Sequence, residues 1–126
     1  MLTSISEETF TKEVLGSSTP VLVHFWAPWC GLCKMINPLL NRFQTEWEGD
    51  IKLVGINADR TFRLANLYQL KTLPTLLFFE GGQVLHRLEG VRGRDDLRLE
   101  LEALMSGWQG TQATYASGAK SQAARD

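Results

Sequence analysis

At 126 residues the chain has room for one globular domain, and with 44% hydrophobic and 21% charged residues it can bury a core without cross-links. Thirteen basic residues against fourteen acidic ones leave a formal charge of −1, which argues against nucleic acid or an anionic membrane surface as the partner. Met1 through Glu8 carries neither a basic segment nor an apolar stretch, and no apolar run approaches the roughly 18 residues of a membrane helix, so a soluble, cytosolic protein is expected.

In chain order, Ser4 or Ser6 is expected to cap a short helix over 7–15 that turns Phe10 and Val14 inward, and the run from Gly16 to Pro20 ends it. Val21 to Trp26 is an almost unbroken run of β-branched and aromatic residues, the pattern of a strand covered on both faces, with His24 its one polar member. Ile36, Leu39, Leu40, Phe43 and Trp47 fall at helical spacing and predict a long helix over 31–48 that Pro38 kinks. Residues 51–57 read as a second buried strand, and Leu64, Leu67 and Tyr68 as a further short helix. A strand over 76–80 meets another over 83–88 through the turn Gly81-Gly82, which makes the two antiparallel. Asp95 and Asp96 favour the start of a last helix with Leu97, Leu101 and Leu104 inward. This order predicts an α/β fold, a central mixed sheet of four to five strands flanked by helices on both faces, formed by residues 1–105. From Ser106 the composition turns to Ser, Gly, Gln, Ala and Thr, and a disordered tail over 106–126 is expected.

The chemistry concentrates in Trp29-Cys30-Gly31-Leu32-Cys33-Lys34. The two cysteines close too small a loop to staple a fold, and a reducing compartment would not keep them joined for stability, so reversible chemistry explains them better. At a strand-to-helix junction this spacing puts the first sulfur near the helix cap and the second one turn inside. Unpaired N–H groups and the positive end of the helix dipole stabilise a thiolate there, making Cys30 the nucleophile and Cys33 the thiol that resolves the mixed disulfide. Small buried apolar residues are one alternative for the pair. A zinc site is another, but only His24 and His86 remain to join the cysteines, and His86 lies in the hairpin.

Phe25 through Lys34, Pro38 within the helix, Asn57-Ala58-Asp59, and Leu73-Pro74-Thr75 followed by Gly81-Gly82 and Gly90 stand in the order found in thioredoxins, and the chain resembles that family over 1–105. The resemblance implies the thioredoxin fold, a cis bond before Pro74 beside the disulfide, and Leu73 offering backbone groups to an extended substrate. An X-Pro bond is the one peptide bond whose cis form is nearly as stable as trans. An ordinary trans proline at the start of the strand is the alternative that the residues alone leave open. Trp29, Leu73, Pro74 and Gly90 would form the docking surface of a monomeric protein-disulfide oxidoreductase, with a thioredoxin reductase among its partners and no metal or organic cofactor.

Three positions depart from the family. Leu32 stands where most thioredoxins carry proline, and its N–H would add a donor to the Cys30 thiolate, stabilising the reduced form and making the potential less negative. His24 stands where a buried acid is usual, and Gly55 where a lysine often accompanies that acid. A buried imidazole stays neutral near pH 7 and can serve Cys33 as a base; a ring satisfied by a backbone carbonyl is the plainer alternative. Glu89, with Arg92 and Arg94 nearby, would make the rim of the groove more polar than usual, or be simply solvated, and the same choice applies to Lys34. Two functions follow: an enzyme working through a Cys30 mixed disulfide, or a docking or holdase module whose tail recruits a partner. The retained cysteine pair favours the enzyme.

Overall fold

The computed structural model describes residues 3–114, with side chains through Trp108. β2 (Val21–Trp26) buries its first five residues, and such a strand has to lie inside a sheet. β3 (Lys52–Asn57) runs parallel on one side of it and β4 (Thr75–Glu80) antiparallel on the other. β1 (Thr3–Ile5) and β5 (Gln83–Glu89) are the edges, so the sheet is mixed and has the order β1-β3-β2-β4-β5. Gly81 and Gly82 both adopt positive φ, 62° and 83°, the conformation that lets a two-residue turn follow the twist of the strands it joins.

Alternation along β2 assigns its residues to two faces. Val21, Val23 and Phe25 join Phe10, Val14, Leu64 and Phe79 in one core, where the Tyr68 and Phe79 rings meet edge-on at 5.6 Å. Leu22 and His24 turn the other way, and His24 shares a cavity with Asn37 and Asn41 of α2 (Asn37–Glu46). The long predicted helix is two segments, α1 (Gly31–Met35) and α2, with Ile36 between them at φ −89° and ψ −5°. The break follows from Pro38, which has no N–H for the Lys34 carbonyl four residues back.

The N-terminal expectation needs correction. Ser4 lies in β1, where it pairs with Gly55, and does not cap a helix. The coil that follows is a π-helical turn, Thr11–Leu15, closed by the Gly16 N–H on the Thr11 carbonyl at 2.8 Å. Ser6 does cap the turn leading into it, accepting the Thr9 N–H at 3.3 Å. Phe10 and Val14 are buried as expected. Lys52 fastens this turn to β3, its ammonium donating to both the carbonyl and the carboxylate of Glu13 at 2.9 and 2.6 Å.

Residues through Arg94 form one compact unit, and the chain from Asp95 onward forms a second. In the second, α4 (Arg94–Thr114) buries Leu97, Leu101 and Leu104 as predicted. It runs past the boundary expected at residue 105, through Ser106 and Gly107 despite their low helix propensity. The rest of the expected tail, 115–126, lies outside the described residues. Among the described residues no helix is long and apolar enough to cross a membrane.

Phe25 is fully buried in the middle strand, two residues before the turn that leads to the cysteines. Phe25→Ala is expected to lower the unfolding free energy by about 3–5 kcal/mol through lost burial and the cavity left behind, measured by urea denaturation.

Candidate active site

β2 ends at Trp26, and the chain turns through Ala27-Pro28-Trp29 into α1 with Cys30 as the cap. Cys30 keeps an extended backbone, φ −89° and ψ 103°, while the residues after it coil. Its side chain therefore folds over the first turn, and Sγ accepts the Cys33 N–H at 3.1 Å. The donor is Cys33 and not Leu32, because the N–H three residues past the cap is the one within reach of the capping atom. The two sulfurs are joined in a disulfide, with the Cα atoms 5.3 Å apart. Cys30 and Cys33 are 6% and 2% exposed, and Trp26, Leu32 and Leu73 pack around them. Gly31 faces open space, and Lys34 is exposed beside the same turn.

Strand register brings distant residues to this turn. Phe25 pairs with Thr75, so the Leu73-Pro74 bend arrives beside Ala27, and its peptide bond is cis. The Thr75 hydroxyl closes the bend by donating to the Thr72 carbonyl at 2.7 Å. Thr75 pairs in turn with Glu89, which sets Gly90, at φ 73°, next to Pro74. Trp29 is 70% exposed, and its indole N–H donates to the Asp59 carboxylate at 3.0 and 3.3 Å. No local pattern assigns a role to Asp59, although Asn57-Ala58-Asp59 is among the motifs that carry the resemblance. Glu89 is exposed and paired on the surface: Arg87 Nε meets its carboxylate at 3.2 Å, and the same guanidinium donates to the Gln69 carbonyl at 2.8 Å.

His24 is 2% exposed, between Gly55 on β3 and Leu76 on β4. Among the described residues neither ring nitrogen has a protein hydrogen-bond partner, so no backbone carbonyl among them satisfies the ring. Burial pushes its pKa down to about 4, so the ring is neutral at pH 7. A cavity of about 340 Å³ is lined by both His24 and Cys33, together with Trp26, Asn37, Asn41 and Gly55. No signal in the sequence pointed to Asn37 or Asn41, which reach the cavity only because α2 lies over this face. Among the described residues, no group of three or more His, Cys, Asp or Glu side chains is placed to hold a metal ion.

The family model described as Thioredoxin matches residues 1–103. Thioredoxin 1 of Nostoc sp. is 41% identical over 98 residues, covering 78% of this chain and 92% of the relative. Thioredoxin of Synechocystis sp. is 39% identical over 98 residues, with the same two coverages. Thioredoxin M4, chloroplastic, of Arabidopsis thaliana is 35% identical over 102 residues, covering 81% of this chain and 53% of the relative.

A histidine with a folded pKa of about 4 binds its proton more readily in the unfolded chain, whose ordinary value is about 6.5. Its neutral burial is thus fully compatible with folding above about pH 6.5, and stability declines as the pH falls from there toward 4. Between pH 7.5 and 4.5 the wild type should lose about 2–3 kcal/mol more than His24→Leu in urea denaturation, and equal losses would contradict the assignment.

Proposed function

The chain belongs to the thioredoxin family and is a thiol-disulfide oxidoreductase, and we propose that it acts on protein disulfides with Cys30 attacking and Cys33 resolving. The observation that carries this reading is the Cys30–Cys33 disulfide at the mouth of α1, with the outer sulfur accepting a first-turn N–H. In the reductive direction the Cys30 thiolate attacks one sulfur of the substrate disulfide. A Cys30–substrate bond forms, and the other substrate sulfur leaves as a thiolate. Cys33, having lost its proton, then attacks Cys30 Sγ; the intramolecular disulfide forms, the second substrate sulfur leaves, and two electrons have passed from the protein to the substrate.

The roles around this exchange are part of the same proposal. Trp29, Leu73, Pro74 and Gly90 make the docking surface, with Leu73 offering its backbone to an extended segment. His24 takes the proton of Cys33: its ring is neutral, has no partner of its own and lines the same cavity. We also place the potential above that of a typical thioredoxin. His24 supports this, since a neutral ring puts no anion behind the thiolates where the family usually carries an acid; Leu32 does not, since the N–H on Cys30 Sγ is that of Cys33. A thioredoxin reductase as electron donor, a monomeric state, a cytoplasmic location and independence from any cofactor complete the reading. The docking-module alternative would rest on the tail, most of which lies outside the described residues.

Cys33→Ser should hold partners as mixed disulfides released by dithiothreitol, and Cys30→Ala should hold none; undiminished capture by Cys30→Ala would favour the docking module. His24→Ala should slow release of the second thiol more than the first attack, read by single-turnover kinetics. His24→Asp should make the potential more negative against a glutathione buffer, by about 20 mV for each 1 kcal/mol of added repulsion.

A further inference from the structure

Two large aromatic side chains stand out from the surface among the described residues: Trp29, 70% exposed, and Phe62, 75% exposed. They are tied to one short stretch of chain. The Asp59 carboxylate holds the Trp29 indole, and Phe62 follows three residues later as the first residue of α3 (Phe62–Leu67). Asp59 is itself fixed, since its N–H donates to Asn57 Oδ1 at 2.9 Å.

The outward position of Phe62 is imposed by its neighbours. Thr61 is buried, and its hydroxyl donates to the Asn57 carbonyl at 3.1 Å. Leu64 is buried in the core, and its N–H donates to the Glu7 carboxylate at 3.1 Å. With residues 61 and 64 both held inward, the helical turn between them has to present Phe62 and Arg63 to solvent. The aromatic ring therefore stays outside in the fold as built, without any fraying of the helix. Arg60 and Arg63 are exposed on either side of it and take part in none of the ion pairs among the described residues. The patch combines an aromatic face with two exposed guanidinium groups that no carboxylate among the described residues directly pairs. Aromatic and arginine side chains are the residues that most often anchor a protein partner.

We propose that Phe62, with Arg60 and Arg63, extends the docking surface beyond Trp29 and determines which protein disulfides are accepted, favouring segments with an apolar side chain and an acidic one beside the attacked cysteine. The occupant is the substrate polypeptide, because the surface continues from Trp29, the neighbour of Cys30 in the chain. The inference rests on the oxidoreductase reading. Phe62 touches substrate in this account without taking part in the bond exchange.

The test uses the full-length reduced protein and three oxidised substrates: bis(2-hydroxyethyl) disulfide and two disulfide peptides that differ only beside the cysteine, Leu with Glu in one and Ser with Lys in the other. The wild type should reduce the Leu/Glu peptide with a kcat/KM at least fivefold above that for the Ser/Lys peptide. Phe62→Ala should cut this preference to below twofold, chiefly through KM, and Phe62→Trp should restore it. Arg60→Glu combined with Arg63→Glu should remove the preference for the acidic flank. A preference that survives Phe62→Ala overturns the inference. So does an equal fall on the peptides and on bis(2-hydroxyethyl) disulfide, which would locate the damage in the cysteine turn. A wild type active on all three without preference defeats this inference alone, whereas one inert toward all three defeats the oxidoreductase reading beneath it.

Discussion

A single change of backbone, extended at Cys30 and helical from Gly31, brings the Cys33 N–H onto Cys30 Sγ. Every other feature of the site depends on where that change occurs. It must fall just beyond a strand that cannot shift, and β2 is held by five pairings to β4 and six to β3. Slipping it by one residue would send Val21, Val23 and Phe25 to the face now occupied by Leu22 and His24, and the core they share with Phe10, Val14 and Phe79 would be lost. The same registers carry Thr75, and with it the Leu73-Pro74 bend, to the level of Phe25. The sheet thus fixes the position of the sulfurs and of the chain segment facing them in one operation.

Behind the sulfurs, His24 and Gly55 form a directly paired couple in which one residue supplies a ring and the other only backbone. Neither residue of the pair carries a charge at pH 7. The imidazole is nearly as buried as any core residue, and neither of its nitrogens meets a protein hydrogen-bonding group among the described residues. Neutrality makes it tolerable, since desolvation penalises the protonated ring and leaves the uncharged one in place.

Much of this was legible from the residues. The apolar run of β2 announced a central strand, the Gly81-Gly82 pair announced the hairpin, and the Cys-x-x-Cys at a strand-to-helix junction announced the sulfurs. What escaped has physical reasons. β1 is three residues long, too short for a period of two to show, and it exists only because β3 offers it a parallel partner. Spacing tells which first-turn N–H groups are unpaired but not which one a folded-back side chain meets, so Leu32 is expected as a donor to Cys30 where Cys33 is found. Asp59, Asn37 and Asn41 come to the site through tertiary contacts that no local pattern encodes. The outward face of Phe62 has the same origin: composition would class a phenylalanine as core, and only the anchoring of Thr61 and Leu64 decides otherwise.

The interruption at Ile36 divides labour between the two helical segments. α2 is ten residues long and buries Leu40 and Phe43, so it behaves as part of the rigid frame. α1 has five residues and lacks the backbone tie that Pro38 would otherwise have made to Lys34. The turn that carries the sulfurs is thereby separated from the buried length of α2 by a break in the backbone hydrogen-bond ladder.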